Sequence, residues 1–279
     1  MSTTGMIRLL FFILLLAACN QKEPPSGPPL PEYVVNEEFQ AVLDTAGVQG
    51  VILVFDPGNN RFFSNNFQEA DVRVLPASTF KIANSIVGLE TGILENEHSV
   101  FTWDGEERAL PVWEKDLTLK EAFQLSCVPC YQQLARTVGV ERMNEQLTNL
   151  NYKTMDVNSE TIDTFWLTGT SRISAMEQID FLNRLYNREL PVSDSTYQTL
   201  TEILKIDRTD DHILSGKTGL ALRDGGNIGW FVGYVEKGDD VYYFATRISP
   251  ANSEMPGYVF SPLRKELTLV ALNTLGIME

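Results

Sequence analysis

Ser78 and Lys81 stand three residues apart in Leu75-Pro76-Ala77-Ser78-Thr79-Phe80-Lys81-Ile82, where the apolar residues Ile82, Ile86, Leu89 and Ile93 begin to recur at helical spacing. On a helix that separation puts a hydroxyl and an amine on one face, one turn apart. A serine hydroxyl is a weak nucleophile without a base, and lysine is a poor base while its pKa stays near ~10.4. The pair can do nucleophilic chemistry only if Lys81 is perturbed, and an apolar, desolvating environment is what lowers a lysine pKa. Two further elements follow: Ser126-Cys127-Val128 just ahead of a helix, and Lys217-Thr218-Gly219 on a stretch that reads as a strand. Little material is left for other chemistry. The chain has 2 histidines and 3 cysteines, without metal-ligand spacing, so no metal is expected. Its formal net charge of -15 repels phosphate backbones, which argues against a nucleic-acid partner.

A serine with a lysine one turn on, a second serine motif and then Lys-Thr-Gly, in that order, is the layout of penicillin-recognising enzymes. The sequence resembles the class D β-lactamases, the oxacillinase group, whose middle motif is serine, any residue, valine. The resemblance runs from about Val51 to Leu275. Its most specific parts are Leu75 to Ile82, Leu125-Ser126-Cys127-Val128-Pro129 with Tyr131-Gln132, Phe165-Trp166-Leu167 leading to Gly169 and Ile173-Ser174, Lys217-Thr218-Gly219, and Gly229-Trp230 with Gly233.

That resemblance implies a serine hydrolase of β-lactam antibiotics, with roles assigned residue by residue. Ser78 opens the ring and holds the acyl group. Lys81 carries carbon dioxide as a carbamate and acts as general base, with no metal or organic cofactor. Phe80, Val128, Trp166 and Leu167 surround it, and the Trp166 N–H, a donor only, suits an anion. Ser126 relays a proton toward the β-lactam nitrogen, Lys217 adds positive charge, and Thr218 with Arg264 binds the substrate carboxylate. The amides of Ser78 and Leu220 form the oxyanion hole. The chain departs from the family where Tyr152-Lys153-Thr154 replaces Tyr-Gly-Asn. Cys127 and Cys130 are expected to pack as small apolar groups beside the site, although export permits a disulfide. His98 and His212 have no place in the motif set.

Two other readings share the layout. A non-hydrolytic penicillin-binding or β-lactam-sensing domain acylates without turnover, and sensors of this kind carry transmembrane segments that no apolar run here supplies. A peptidoglycan peptidase is disfavoured by Ser126-Cys127-Val128 and Trp166.

The elements that position these residues follow from pattern. Residues 1–18 read as a signal peptide, since Arg8 precedes a short apolar run from Leu9 to Ala18. Leu16-Ala17-Ala18-Cys19 resembles the bacterial lipobox, which implies lipidation of Cys19. Residues 19–31, with Pro24, Pro25, Pro28, Pro29 and Pro31, form an extended tether. The expected place is the periplasm or cell envelope, anchored to a membrane by lipid. Residues 32–279 make the catalytic domain. A hairpin is predicted over Gly50 to Asp56 and Asn60 to Phe67, with Val51, Leu53 and Phe55 alternating as in a half-buried strand. Helical signatures dominate to about residue 205; Thr118 with Glu121 and Ser174 with Glu177 match capping boxes, and Pro129 fits a first helical position. Strands return at Ile213 to Leu220, Asn227 to Val235 and Val241 to Ile248, turning at Asp224-Gly225-Gly226 and Lys237-Gly238-Asp239. An amphipathic helix from Leu263 to Leu275 closes the chain. The fold class is α+β, β-lactamase/transpeptidase-like: an antiparallel sheet built from both termini with flanking helices, plus an all-helical lobe at about 94–205 and a cleft between them.

Overall fold

The first strand of the first hairpin is buried at its centre, with Val51, Ile52, Leu53 and Val54 all inaccessible to solvent. Alternation predicted one dry face. The strand has two, because Val51 and Leu53 pack into the core shared with the helical lobe while Ile52 and Val54 pack against the terminal helices. The computed structural model describes residues 29–152, 154–222, 227–252 and 254–278. From Pro31 onward the chain forms one unit. The signal peptide, Cys19, Lys153 and the turn at Asp224-Gly225-Gly226 lie outside the described residues.

The strands are β1 (Glu32–Val35), β2 (Val48–Asp56), β3 (Arg61–Ser64), β4 (Val100–Phe101), β5 (Leu117–Thr118), β6 (Lys205–Arg208), β7 (Ile213–Ala221), β8 (Ile228–Lys237) and β9 (Asp240–Pro250). The helices are α1 (Glu37–Thr45), α2 (Phe67–Ala70), α3 (Lys81–Glu90), α4 (Leu119–Gln124), α5 (Val128–Val138), α6 (Val140–Asn149), α7 (Ala175–Tyr186), α8 (Asp194–Leu204) and α9 (Gly257–Thr274). Seven strands form one sheet in the order β1-β3-β2-β9-β8-β7-β6. Both ends of the chain contribute to it, as predicted. The sheet is mixed rather than wholly antiparallel, since β1 runs parallel to β3 at the edge. Between 94 and 205 the α-helices are α4 to α8, joined by long loops such as that between Asn149 and Ala175, and the strands there are the short antiparallel pair β4–β5.

One core lies between the sheet and the helical lobe and holds Phe80, Phe165, Trp166, Trp230 and Val232; the other lies under α1 and α9 and holds Phe39, Leu43, Phe231, Phe244 and Leu272. Each such side chain contributes about 1.5–3 kcal/mol on burial. Both predicted capping boxes are present, Thr118 with Glu121 and Ser174 with Glu177. Pro129 falls on the second residue of α5, with Cys127 as the N-cap. The β8–β9 turn is two residues long, and Gly238 takes φ +61 there, a conformation that needs no Cβ penalty only in glycine.

Candidate active site

Ser78 sits in a single 3-10 turn, Ala77–Phe80, that runs into α3 at Lys81. Ala77 takes φ +49, a left-handed conformation that costs about 1–3 kcal/mol and persists only where its surroundings hold it. Three side chains do so. Thr79 Oγ1 donates to Pro76 O at 2.7 Å, Gln178 Nε2 of α7 donates to Thr79 Oγ1 at 2.8 Å, and Trp230 Nε1 of β8 donates to Leu75 O at 2.9 Å. Strand β7 lies hard against the turn: a Cβ on Gly219 would meet Thr79 Cγ2 and Trp230 Cβ at 3.1 Å and Pro76 O at 3.2 Å. This is why the third residue of Lys217-Thr218-Gly219 has no side chain.

Lys81 is completely buried, and its Nζ is hydrogen bonded to Ser78 Oγ at 2.8 Å. It lies 5.2 Å from the centroid of the Tyr131 ring. Desolvation first, and then the charge of Lys217, push its pKa well below the ordinary value. A neutral amine can accept the serine proton, which an ammonium cannot.

Ser126 takes φ +54 in the connection between α4 and α5. Trp113 Nε1 donates to Leu125 O at 3.1 Å and Cys127 N donates to Ala122 O at 2.8 Å, which brace that turn. Lys217 Nζ donates to Ser126 Oγ at 3.1 Å and to Thr218 O at 3.0 Å, and stands 5.5 Å over the Phe123 ring. Burial, and secondly the charge of Arg264, push Lys217 down to about 7. Burial likewise pulls Arg264 down to about 10; its Nη1 donates to Ser261 Oγ at 2.9 Å while its Nε has no partner among the described residues. None of Lys81, Lys217 and Arg264 is ion-paired to a carboxylate among the described residues. In a chain of net charge -15, Lys217 and Arg264 make the site locally basic and suited to an anionic ligand, while burial favours the neutral form of Lys81. Thr218 is half-buried beside Lys217 on the wall of a cavity of about 330 Å³ bounded also by Phe123, Ile203 and Lys265, between the helical lobe, β7 and α9. Leu220 lies two residues further along β7. Ser78 is not on that wall.

Phe80, the residue before Lys81, stacks on Trp166 with ring centroids 5.7 Å apart, and Phe165 and Tyr152 meet it edge-on. Trp166 is fully buried and its Nε1 finds no acceptor among the described residues. An orphaned donor in a core is costly, by about 1–3 kcal/mol, and marks a place where an acceptor belongs. Leu167 and Val128 are half-buried, the first packed against this core and the second opening α5.

One expectation is corrected. Cys127 and Cys130 are not separate apolar fillers but are joined as a disulfide. Their spacing across the first turn of α5 puts the Cα atoms 5.4 Å apart, within bridging range. At the departure from the family, Tyr152 is buried against Phe80 and Phe181, while Thr154 takes φ +68 and exchanges hydrogen bonds with Arg172. His98 is exposed, with Nε2 3.5 Å from a Glu97 carboxylate oxygen, and the His212 amide donates to Thr209 Oγ1 in a turn. No group of three or more His, Cys, Asp or Glu among the described residues is arranged to hold a metal.

Sequence reasoning assigned no role to Gln178, Phe123 or Trp113. Gln178 is 99 residues from its partner Thr79, and no local pattern marks it. Trp113 and Phe123 lie close ahead of the second motif, and an aromatic residue there was the one available signal.

Residues 46–267 match the model of the penicillin binding protein transpeptidase domain. The chain is 38% identical over 242 residues to the β-lactamase OXA-48 of Klebsiella pneumoniae, covering 87% of this chain and 89% of that protein. It is 36% identical over 271 residues to the β-lactamase OXA-10 of Pseudomonas aeruginosa, covering 96% and 98%. The chain belongs to the class D β-lactamase family. Among solved structures, the class D β-lactamase of Sebaldella termitidis superposes with a TM-score of 0.84 at 36% identity, covering 89% of this chain and all of that one. The C-terminal domain of the Bacillus licheniformis BlaR penicillin receptor superposes with a TM-score of 0.81 at 27% identity, covering 90% and 99%. A class D β-lactamase and a receptor domain thus share one scaffold, and fold alone does not separate hydrolysis from sensing.

Proposed function

We propose that this chain hydrolyses β-lactam antibiotics through an ester on Ser78, with Lys81 as the seat of the general base. The observation that carries the reading is the fully buried Lys81, bonded to Ser78 at 2.8 Å and ion-paired to no carboxylate among the described residues. Ser78 Oγ attacks the β-lactam carbonyl carbon and gives up its proton toward Lys81. The developing oxyanion is met by the amides of Ser78 and Leu220. As the ring C–N bond breaks, Ser126, hydrogen bonded to Lys217, passes a proton to the leaving nitrogen. Thr218 and Arg264 hold the substrate carboxylate, and Lys217 adds positive charge beside it. The neutral amine of Lys81, the apolar wall of Phe80, and the unpartnered Trp166 N–H together fit carbon dioxide held as a carbamate on Lys81. When bound, that group supplies a base that is still available after the ester has formed.

Turnover is the test, because a penicillin-sensing domain also acylates. Purified protein with a chromogenic cephalosporin in bicarbonate buffer should form product in excess of enzyme. Intact mass after brief exposure to a penicillin should rise by one acyl group in wild type and not in Ser78→Ala. Acylation without release over hours would replace hydrolysis by sensing, and an acyl group elsewhere would overturn the assignment of Ser78.

We also propose that the enzyme is held in the cell envelope by lipid on Cys19, a reading supported by the apolar run before Cys19 and the proline-rich stretch after it. Wild type should partition with membranes and Cys19→Ala with the soluble periplasm. Equal partitioning would remove the anchor.

A further inference from the structure

The disulfide is the feature that the hydrolytic chemistry does not use. Cys127 is the middle residue of Ser126-Cys127-Val128 and the N-cap of α5, and Cys130 lies one turn into that helix. Both line a cavity of about 430 Å³ whose wall also carries Arg108, Lys115 and Arg136 against Asp104. Cys127 is fully buried while Cys130 keeps 8% exposure, so a reagent in the cavity meets the Cys130 sulfur first. Cys127 Sγ accepts the Cys130 backbone N–H at 3.2 Å, at the N-terminus of an eleven-residue helix. A thiolate there is favoured by the helix dipole and the amide donor, which makes Cys127 the better leaving group.

We propose that Cys127–Cys130 is a thiol–disulfide exchange site for a dithiol reductant, and that its reduction slows acylation by releasing Ser126. One thiolate of the dithiol attacks Cys130 Sγ, the S–S bond breaks, and the electron pair leaves on Cys127 Sγ. The second thiol of the reductant then displaces Cys130. The dithiol ends as a disulfide, and the two cysteines end as thiols carrying the two protons. Arg108 is paired with Asp104 and Arg136 with Asp163, so the wall sets no charge preference on the reductant.

The consequence runs through one peptide bond. Ser126 holds a left-handed conformation, and the residue that follows it is pinned to α5 by the bridge. The Trp113–Leu125 and Cys127–Ala122 hydrogen bonds remain after reduction, so losing the pin loosens the turn rather than freeing it, and the Ser126 hydroxyl leaves Lys217 for part of the time. Acylation, which needs Ser126 to protonate the leaving nitrogen, should fall about tenfold, while deacylation should not change.

This inference rests on the proposed role of Ser126, and the experiment separates the two. Full-length protein purified in air is treated with iodoacetamide before and after dithiothreitol, with labels located by peptide mapping. No label at Cys127 or Cys130 before reduction and both labelled after it are expected; labelling before reduction overturns the exchange site without reference to any β-lactam. Acylation and deacylation rates are then measured by stopped flow on oxidised, reduced and reoxidised wild type. A reversible loss confined to acylation supports the proposal, and an equal loss in both steps or none in either overturns the link to Ser126. The Cys127→Ser, Cys130→Ser protein keeps a hydroxyl at the N-cap and should sit at the reduced rate, insensitive to dithiothreitol. Wild type alone suffices if that protein does not fold.

Discussion

Replacing Lys217 by Met should flatten the pH dependence of stability. The side chain is 4% exposed and its pKa in the fold is about 7, whereas an unfolded chain holds that proton up to ~10.4. Between those values the unfolded state binds more protons, so raising pH favours the fold. Going from pH ~7 to ~9 in wild type therefore adds about 2 kcal/mol of stability from this residue alone, the full slope of ~1.4 kcal/mol per unit being reached only above the folded pKa. Met fills a similar volume without a titrating group. Urea unfolding at the two pH values measures the difference, and contributions from residues remote from Lys217 cancel between the proteins. Wild type should gain about 2 kcal/mol more than Lys217→Met over this range. Equal gains would mean that Lys217 is not desolvated in the fold, and its buried place beside Ser126 would fall with it.

Gly219→Ala should lose about 1–3 kcal/mol of stability and slow acylation, because the new methyl forces β7 away from the Ser78 turn; unchanged urea midpoints and acylation rates would show that the contact is slack. Thr154→Asn should stabilise by about 1 kcal/mol in thermal unfolding, since asparagine tolerates the left-handed backbone that a β-branched residue resists. Adding Lys153→Gly should shift relative rates among penicillins and cephalosporins without creating activity in an inert protein. Trp166→Phe keeps an aromatic ring against Phe80 but removes the buried N–H, and should cut deacylation at least tenfold, an effect of about 1.4 kcal/mol, and increase the dependence on added bicarbonate. Equal bicarbonate dependence in both proteins would separate Trp166 from the base.

Local chemistry determined a good deal here. The spacing of Ser78 and Lys81 sets them one turn apart whatever surrounds them, capping residues mark helix starts at Thr118 and Ser174, and glycine marks the β8–β9 turn. The order of the motifs then resembles that of penicillin-recognising enzymes. Tertiary structure decided what the side chains experience. A lysine's pKa depends on the water taken from it, and the removal of water from Lys81 and Lys217 comes from elements far along the chain. The strained residues Ala77 and Ser126 are held by long-range partners such as Gln178, Trp230 and Trp113, which no local period reveals. The two-sided burial of β2 arises because helices from both ends and the middle of the chain cover both faces of the sheet. The pairing of Cys127 with Cys130 turned on whether their first helical turn brings the two sulfurs together, and spacing alone left that open.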